Sequence, residues 1–472
     1  MKGYSLAILV SLFSIFVFGQ RTIDWQSDQN MGLAHASYLF QKVDDNKIVA
    51  EYQSEKLLNP ASTIKLITSL IYLEKKGDKS QFSTSVYYQG TIEKDGTLKG
   101  NIIIQGSGDP SFGSERYGNK NSLSKRTSEI VKAIQYAGIT CIDGDIIVDE
   151  SYYGSDCTPH TWTYNDLGNY YATGIWGLNV NENAYSLSFR RGSKKGGKLE
   201  LDQISPPIPG LYFKNELTLN APNSGDQSYI FCAPYQYQAH IRGTLPAGKG
   251  KFSIRGAIPD APLFFAQHLQ TSLEINNIKS NRAKVSYDVI SKDKQIWTHK
   301  GVPAKMQVKS AIEKSINLYC EGFLRELGSG DREKGTRVIE EYLLREKLID
   351  NSSAYQQRDG SGLSQRNFIS TSTMVGFLAH QLDRMGSDNL YPLLARNGYD
   401  GTLASAFLSK NLKGKIYGKS GSMGGVRAYA GFLKAKSGDI IAFSVMVNNY
   451  TVSSRTIITK IENLLEDVWA NN

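Results

Sequence analysis

Apolar residues recur along the chain with two different periods, which predict helices in some segments and strands in others. Spacings of three and four residues predict helices, whereas alternating or short continuous apolar runs bounded by turn residues predict strands. The predicted helices begin near residue 62 and at residue 315, and cover residues 124–136, 335–347, 373–385 and 453–469. The predicted strands cover residues 83–88, 101–105, 145–148, 185–189, 426–433 and 440–447. Ser370 or Thr371 is placed to cap the helix over residues 373–385.

The first predicted helix carries a serine followed three residues later by a lysine, Ser62 and Lys65. Residues i and i+3 share a helix face, so the lysine can reach the serine hydroxyl. A serine is a weak nucleophile until a base takes its proton, and burial of the apolar helix lowers the pKa of the lysine toward that role. The same spacing occurs at residues 122–125 and 291–294, in polar surroundings, so this pair alone is a weak signal.

Two further motifs follow in order. Ser315-Ile316-Asn317 opens a helical run, and Lys419-Ser420-Gly421 lies between the strand-like residues 415–417 and the strand over residues 426–433. Taken alone, the first is merely a helix start and the second a turn between strands. Together with Ser62 and Lys65 they give S-x-x-K, S-x-N and K-[TS]-G, the motif order of penicillin-recognising serine enzymes. The three motifs therefore predict one catalytic cleft.

Four further short sequence segments restrict this match to one family of such enzymes. They are Gln-Gly-Ser-Gly-Asp-Pro at residues 105–110, Tyr-Asn-Asp-Leu at 164–167, Asp-Gly-Ser-Gly-Leu-Ser at 359–364 and Gly-Val-Arg-Ala-Tyr-Ala-Gly at 425–431. With the motifs, they resemble the class C low-molecular-mass penicillin-binding proteins, the D-alanyl-D-alanine carboxypeptidase/endopeptidases of peptidase family S13. The resemblance extends from about residue 30 to about residue 449.

The resemblance implies a serine DD-peptidase that works through an acyl-enzyme. Ser62 is then the nucleophile that attacks the carbonyl between two D-alanines, and Lys65 is the base for acylation. Ser315 would relay the proton to the leaving nitrogen. Asn317 would orient the lysine or hold the substrate's amide. Removal of a terminal D-alanine and cleavage of D-alanyl-diaminopimelyl cross-links would follow the same route, and β-lactams would be covalent inhibitors.

The resemblance also implies a set of substrate-binding residues. Lys419, Ser420 and Gly421 belong to this set, with Lys419 binding the substrate's terminal carboxylate or setting the potential of the cleft. The backbone N–H groups of Ser62 and Ser422 would form an oxyanion hole.

Asp166 and Tyr171 match family positions that contact the amino end of the stem-peptide side chain. The chain departs from the family pattern at four positions, Ile316, Gln365, Ser420 and Gly424, which replace Asp, Arg, Thr and Gln.

The length of chain between the first two motifs predicts the domain organisation. Lys65 and Ser315 lie 250 positions apart, which is too long for a loop between residues of one cleft. We therefore expect an α/β fold, in which a β-lactamase/transpeptidase-like catalytic domain of residues 20–84 and 290–472 is interrupted by β-rich inserted domains at residues 85–289. The glycine-dense residues 359–364 are expected to approach the active site closely or to brace the domain.

The start of the chain has the pattern of a secretory signal peptide, predicted over residues 1–19. Its apolar run, residues 6–18, is shorter than the roughly 20 residues that span a bilayer. No later stretch is longer and as apolar. We therefore expect an exported protein that is periplasmic or associated with the cell envelope, soluble after processing and without a transmembrane anchor.

The net charge of +9 suits an envelope protein that meets anionic polymers, including a peptide-bearing glycan with free carboxylates, although a generally solvated basic surface fits equally well. The expected partners are peptidoglycan stem peptides and β-lactams. Nucleic acid is not expected, since no basic cluster interleaved with aromatic residues occurs.

The cysteines and histidines give no metal-type spacing. We therefore expect neither a metal nor another cofactor. Export makes disulfides possible, and the four cysteines allow three pairings. Cys141 and Cys157 are the expected pair, and Cys320 is expected to be a buried free thiol within the helix after Ser315.

The residues leave two other functions open. A β-lactamase would share these motifs, although the long middle segment disfavours it and no deacylating glutamate is identifiable. A catalytically silent envelope binding or scaffold protein would keep the fold, with Ile316 and Ser420 as its only support. Rapid turnover of a β-lactam would favour the β-lactamase, whereas a long-lived acyl-enzyme would exclude it.

Overall fold

The structure is a computed structural model that describes residues 33–472, so the predicted signal peptide lies outside the described residues. The helices are α1 (Lys65–Lys76), α2 (Leu123–Tyr136), α3 (Ala261–Ile275), α4 (Ala304–Lys314), α5 (Asn317–Leu327), α6 (Arg332–Arg345), α7 (Thr371–Met385), α8 (Ser387–Leu390) and α9 (Ser454–Asn471). The strands are β1 (His35–Lys42), β2 (Ile48–Tyr52), β3 (Ser83–Ile92), β4 (Thr97–Gly106), β5 (Cys141–Asp143), β6 (Ile146–Asp149), β7 (Ala184–Arg190), β8 (Glu200–Ser205), β9 (Tyr212–Asn215), β10 (Thr218–Asn220), β11 (Gln227–Phe231), β12 (Gln238–Pro246), β13 (Lys251–Ala257), β14 (Ala283–Ser286), β15 (Lys294–Lys300), β16 (Ala395–Arg396), β17 (Ile416–Met423), β18 (Val426–Lys434) and β19 (Ile440–Asn448).

A six-stranded sheet joins the two ends of the described chain, in the order β16-β17-β18-β19-β1-β2. β1 pairs antiparallel with β19, and β17, β18 and β19 form an antiparallel meander. Successive side chains of a strand point to opposite faces. On β19, Ala442 and Met446 accordingly pack with α7 on one face, whereas Phe443 and Val445 pack with α9 on the other. The sheet is therefore buried on both faces.

The helical layer on the α7 face carries the first two motifs. α1, α4, α5, α6 and α7 share one apolar core with that face of the sheet. Within it the rings of Tyr72 and Phe323 stack at 4.4 Å between centroids, which ties α1 to α5. This packing sets the start of α1 beside the start of α5.

The middle of the chain forms a separate strand-rich body with its own core. Its sheets have the orders β14-β6-β4-β3-β15, β13-β7-β8 and β10-β12-β11, with β5 beside β4 and β9 beside β12. β15 pairs with β3, although the sequence assigned residues 294–300 to the catalytic part. We therefore propose that the inserted part extends from about residue 83 to about residue 300, where this sheet begins and ends.

Most predicted elements have a counterpart within a few residues, and Ser370 caps α7 through the N–H of Thr373 at 3.0 Å. The Lys-Ser-Gly motif lies inside β17, whereas the sequence predicted a strand only over residues 415–417. Gly418 and Gly421 interrupt the apolar pattern that predicts a strand. Glycine is needed at both positions because each lies very close to a neighbouring backbone. A Cβ at Gly418, for example, would stand 2.4 Å from the carbonyl oxygen of Ala430.

The expected disulfide between Cys141 and Cys157 is wrong, since all four cysteines are free thiols. Cys141 lies in β5 and pairs with Thr97 of β4. Cys157 is buried in a loop, and its carbonyl oxygen accepts a hydrogen bond from the N–H of Ile175. Closeness in sequence does not bring these two sulfurs together. Cys320 is a buried free thiol, as expected. Among residues 33–472, no helix has the length and apolarity needed to cross a membrane.

Candidate active site

The serine of the first motif lies on a strained turn. Residues Ala61–Ile64 form a 3-10 turn that leads into α1, and Ala61 is fully buried with a φ of +44°. A non-glycine residue holds such a φ only where its surroundings enforce it. Asn59 supplies that constraint, since its Oδ1 accepts from the N–H of Ala61 at 2.7 Å and its own N–H donates to Asn448 at 2.7 Å. The turn is thereby fixed to the end of β19.

Lys65 is fully buried and reaches three oxygen atoms. Its Nζ lies 2.9 Å from Ser62 Oγ and 2.6 Å from Asn317 Oδ1, and it also contacts the carbonyl oxygen of Ser361. Burial lowers the pKa of Lys65, while nearby buried carboxylates oppose the shift. A neutral amine has two hydrogens and one lone pair. When Lys65 is neutral, Asn317 Oδ1 and the Ser361 carbonyl, which only accept, can take the two hydrogens and leave the lone pair for the hydroxyl of Ser62.

Of the second motif, Asn317 contacts Lys65, whereas Ser315 makes no direct hydrogen bond to it in the described chain. The amide nitrogen of Asn317 donates to the carbonyl of Tyr171 at 2.6 Å, which fixes its Oδ1 toward Lys65. Ser315 ends α4 in the left-handed conformation, with φ +58°, two residues before Asn317. In the described chain its hydroxyl makes no direct hydrogen bond to Ser62 or Lys65. The structure thus joins Ser62, Lys65 and Asn317, with Ser315 on the turn beside them.

The third motif packs against the serine turn. A Cβ at Gly421 would lie 2.7 Å from the carbonyl oxygen of Pro60 and 3.0 Å from the backbone nitrogen of Ser62, so only glycine allows this approach. Lys419 is buried, and its Nζ donates to the carbonyl of Ser420 at 2.5 Å. Burial and the charge of Lys65 hold the pKa of Lys419 well below its ordinary value. Two buried amines, those of Lys65 and Lys419, are therefore close enough to affect each other's charge.

On β17, the residues that alternate with Lys419 and Gly421 are more exposed. Ser420 is half-buried and Ser422 is exposed. β16 pairs with β17 only at Tyr417 and Gly418, so the edge of β17 beyond Gly418 carries no further partner in the described chain.

A segment of the inserted part borders the site. The carbonyl of Tyr171 holds Asn317, and the Tyr171 side chain faces Asp166, whose carboxylate accepts from Thr163 at 2.7 Å. Burial, with the charge of Asp166, raises the pKa of Tyr171. Asp166 and Tyr171 therefore lie together on a segment that contacts Asn317, which follows Tyr171 by 146 positions in the chain.

The glycine-dense loop of residues 359–364 approaches the site, as expected. Gly362 has a φ of +83°, and a Cβ there would lie 2.0 Å from the carbonyl oxygen of Ala61. The buried carboxylate of Asp359 organises the loop by accepting four hydrogen bonds of 2.6–2.8 Å from Trp162 Nε1, Gly362 N, Ser364 N and Asn367 Nδ2. The loop thereby holds the Ser361 carbonyl against Lys65.

Sequence reasoning missed Glu321, which lies four residues after Asn317 on α5. Its side chain is buried, accepts from the N–H of Gly360 at 3.2 Å, and leaves Oε1 without a partner in the described residues. Burial, together with the charge of Asp359, raises the pKa of Glu321 to about 7. A glutamate within the otherwise apolar run after Ser-Ile-Asn was the available signal. Among the described residues, no cluster of His, Cys, Asp or Glu could hold a metal ion.

Comparison with known proteins gives the same assignment as the motifs. The model of the D-Ala-D-Ala carboxypeptidase 3 (S13) family matches residues 23–468. The D-alanyl-D-alanine carboxypeptidase DacB of Haemophilus influenzae is 22% identical over 90% of this chain and 88% of its own length. A D-alanyl-D-alanine carboxypeptidase of an Actinomadura species is 23% identical over 84% of this chain and 74% of its own.

Solved structures show the same fold. The crystal structure of penicillin binding protein 4 from Haemophilus influenzae superposes with a TM-score of 0.80 at 22% identity, covering 93% of this chain and 98% of that one. A predatory peptidoglycan endopeptidase of Bdellovibrio bacteriovorus superposes with a TM-score of 0.53 at 16% identity, covering 93% of each chain. The predicted fold class and the resemblance read from the motifs are confirmed: this chain belongs to the D-Ala-D-Ala carboxypeptidase 3 (S13) family.

Proposed function

We propose that this chain is a serine DD-peptidase of the cell envelope, in which Ser62 attacks the carbonyl carbon between the last two D-alanines of a peptidoglycan stem peptide. The observation that carries the proposal is the set of contacts at Lys65. Two fixed acceptors occupy the hydrogens of its neutral amine, so its lone pair meets the hydroxyl of Ser62 at 2.9 Å. A general base must lie within such hydrogen-bond reach of the proton that it takes.

The reaction proceeds through two acyl transfers. Lys65 takes the hydroxyl proton as the bond from Ser62 Oγ to the carbonyl carbon forms. The carbon–nitrogen bond to the terminal D-alanine then breaks, and its nitrogen receives the proton held by Lys65; the family resemblance, and not a contact at Lys65, assigns this relay to Ser315 on the turn before Asn317. Water attacks the acyl carbon, gives a proton to Lys65, and releases the shortened peptide as Ser62 regains its own proton.

Substrate binding follows from the strand that carries the third motif. An extended peptide can add to the open edge of β17 beyond Gly418, as peptides do at other exposed sheet edges. Lys419 and Ser420 would bind the terminal carboxylate, with Gly421 allowing the close approach. The N–H groups of Ser62 and Ser422 would hold the oxyanion, where one donor is typically worth about 3 kcal/mol of barrier.

Asp166 and Tyr171 would contact the far side of the peptide. A half-buried carboxylate beside a tyrosine hydroxyl suits an ammonium group, as on the side chain of diaminopimelate. When the leaving nitrogen belongs to the diaminopimelate of a second stem peptide, the same chemistry cleaves a cross-link. The fold shared with a peptidoglycan endopeptidase supports this second activity.

Covalent reaction with β-lactams follows from the same acyl transfer. A β-lactam presents an amide carbonyl to Ser62, and ring opening leaves the leaving nitrogen attached to the adduct. A structural relative, penicillin binding protein 4 of Haemophilus influenzae, has a solved complex with a β-lactam. Neither a metal, another cofactor nor nucleic acid has a role in this scheme.

The test compares the parent protein and Ser62→Ala after incubation with a labelled penicillin, by intact-mass analysis, alongside D-alanine release from a stem pentapeptide. A long-lived adduct on the parent alone, with D-alanine release, supports the DD-peptidase. Rapid loss of the label with hydrolysed penicillin would make the protein a β-lactamase. If neither an adduct nor penicillin turnover is observed, the protein is a catalytically silent binding protein.

A further inference from the structure

The solvent face of strand β11 carries aromatic rings where polar side chains are usual. β11 is an edge strand, and β12 is its one strand partner within residues 33–472. Ile230, the fourth of its five residues, is buried in the core, so by alternation Tyr229 and Phe231 share the opposite face. Antiparallel sheets with one solvated face generally place polar residues there. Two adjacent aromatic residues on that face therefore suggest a binding surface.

These rings belong to a larger group. The ring of Tyr164 stacks on that of Phe231 with centroids 5.2 Å apart, Tyr229 lies 6.3 Å from Phe231, and the guanidinium of Arg242 stands 6.0 Å from the Phe231 ring. Tyr164 is 67% exposed and Tyr229 46% exposed. We call Tyr164, Tyr229, Phe231 and Arg242 the aromatic platform.

The aromatic platform is joined to the catalytic site through one short segment. The N–H of Ile230, between the two aromatic residues of β11, donates to Asn169 Oδ1 at 3.0 Å. Two residues later, the carbonyl of Tyr171 holds the amide of Asn317. Between them Tyr170 is exposed, with its ring 5.5 Å from that of Tyr171. Aromatic surface thus continues from the platform to the catalytic asparagine.

Arginine and lysine side chains edge the aromatic platform. Arg242 pairs with Glu216 at 2.9 Å, and Glu216 also pairs with Lys214 at 2.9 Å, so this group of three carries one net positive charge. Arg255 stands 5.2 Å from the ring of Tyr170 and pairs with Glu182 at 3.8 Å. A surface of exposed rings edged by cations suits a ligand with flat apolar faces, polar edges and nearby carboxylates.

Resting on the proposed function, we propose that the aromatic platform binds the sugar rings of the glycan that carries the stem peptide. Such a peptide is attached to its glycan by a covalent bond, so an amino-sugar ring stands a few residues from the bond that Ser62 attacks. The C–H face of a pyranose ring can lie on Tyr164 or Tyr229, while hydroxyl and acetamido groups meet the phenol oxygens and Arg242. The platform would then select glycan-linked substrate over free peptide.

The test uses the double variant Tyr164→Ala/Tyr229→Ala and a matched control, Tyr399→Ala. Tyr399 is 61% exposed and also packs on an arginine, Arg396, but lies in the catalytic part. D-alanine release is measured for a free stem pentapeptide and for the same pentapeptide linked to its disaccharide. We expect kcat/KM of the double variant to fall about tenfold for the disaccharide substrate only, and the control to match the parent. Equal loss on both substrates, or no loss on either, would overturn the proposal.

A binding measurement separates this proposal from the proposed function. Peptide-free glycan oligosaccharide is titrated into Ser62→Ala protein with and without the platform substitutions, and melting temperatures establish that each variant is folded. If the oligosaccharide binds Ser62→Ala and the platform substitutions weaken that binding, the platform is supported even if the parent protein releases no D-alanine. If the intact platform binds no oligosaccharide, the proposal fails although the peptidase remains active.

Discussion

Lys65 Nζ donates a hydrogen bond to Asn317 Oδ1 at 2.6 Å, across a separation of 252 positions in the chain. The other end of the asparagine amide is held by the Tyr171 carbonyl, so the side chain cannot turn its oxygen away. A neutral acceptor at this place orients the amine of Lys65 and favours its protonated form less than a carboxylate would. The proposed base therefore depends on an amide here, where a carboxylate would act differently.

Asn317→Asp is expected to slow acylation near pH 7 and to restore it partly at higher pH. A carboxylate this close to Lys65 raises the pKa of the lysine, typically by 1–3 units, and each unit removes about nine-tenths of the neutral amine. The measurement is the rate of penicillin acylation from pH 6 to pH 10. Asn317→Ala, which adds no charge, serves as the control: it should be slow without an upward shift. An unshifted profile in Asn317→Asp would mean that Lys65 does not titrate in this step.

Lys65→Ala is expected to lower the acylation rate by about 10²–10⁴-fold, the usual contribution of a positioned general base. The chain offers a matched control at Ser122 and Lys125, which repeat the spacing. Ser122 caps α2 by accepting from the N–H of Lys125 at 3.4 Å, and the Lys125 side chain is half exposed. Ser122→Ala should lower stability by about 1 kcal/mol and leave acylation unchanged. Parental acylation in Lys65→Ala would assign the base to another group.

Glu321→Gln is expected to move the low-pH limb of the acylation profile to lower pH. The ionised carboxylate of Glu321 raises the pKa of Lys65, so its removal makes the neutral amine available at lower pH. Glu326→Gln is the control, because Glu326 lies on the same helix but bonds Lys76 at 2.8 Å near the surface. Identical profiles for the two variants would show that Glu321 has no electrostatic effect on the base.

The same substitution should change how stability depends on pH. Burial raises the pKa of Glu321 to about 7 from an ordinary value of 4.5, so the folded state binds more protons between these two values. The stabilisation is therefore fully present below about pH 4.5 and is lost as pH rises through about 7. Denaturant unfolding across this window should show that loss in the parent and not in Glu321→Gln.

The motifs predicted much of the site because each keeps its residues within a few positions of one another. Ser62 and Lys65 share one turn and the start of one helix, and Asn317 begins the next motif helix, so local spacing was informative. The Lys-Ser-Gly strand was harder to predict. Its glycines weaken a strand pattern, yet Gly421 is required by the backbone of Ser62, which only the folded chain brings near.

What could not be predicted depends on contacts between distant segments. The carboxylate of Asp359 accepts from Trp162, 197 positions away, and the loop built on it presents the carbonyl of Ser361 to Lys65. A backbone carbonyl has no signature in the sequence. The absence of a disulfide between Cys141 and Cys157 has the same origin, since strand pairing, not spacing, decides which sulfurs meet.

Two glycines three residues apart allow a last test of the contact between β17 and the serine turn. A Cβ at Gly421 would meet the backbone of Pro60 and Ser62 at 2.7 and 3.0 Å, whereas one at Gly424 would meet nothing within 4 Å. Gly421→Ala is therefore expected to cost about 1–3 kcal/mol of stability, as overpacking does, and to slow acylation by displacing the nucleophile. Gly424→Ala should change neither quantity. The measurements are denaturant unfolding and penicillin acylation rates for both variants. If Gly421→Ala acylated at the parental rate, the strand and the serine turn would not need this close contact, and the placement of Ser62 would have to depend on Asn59 and the loop around Asp359 instead.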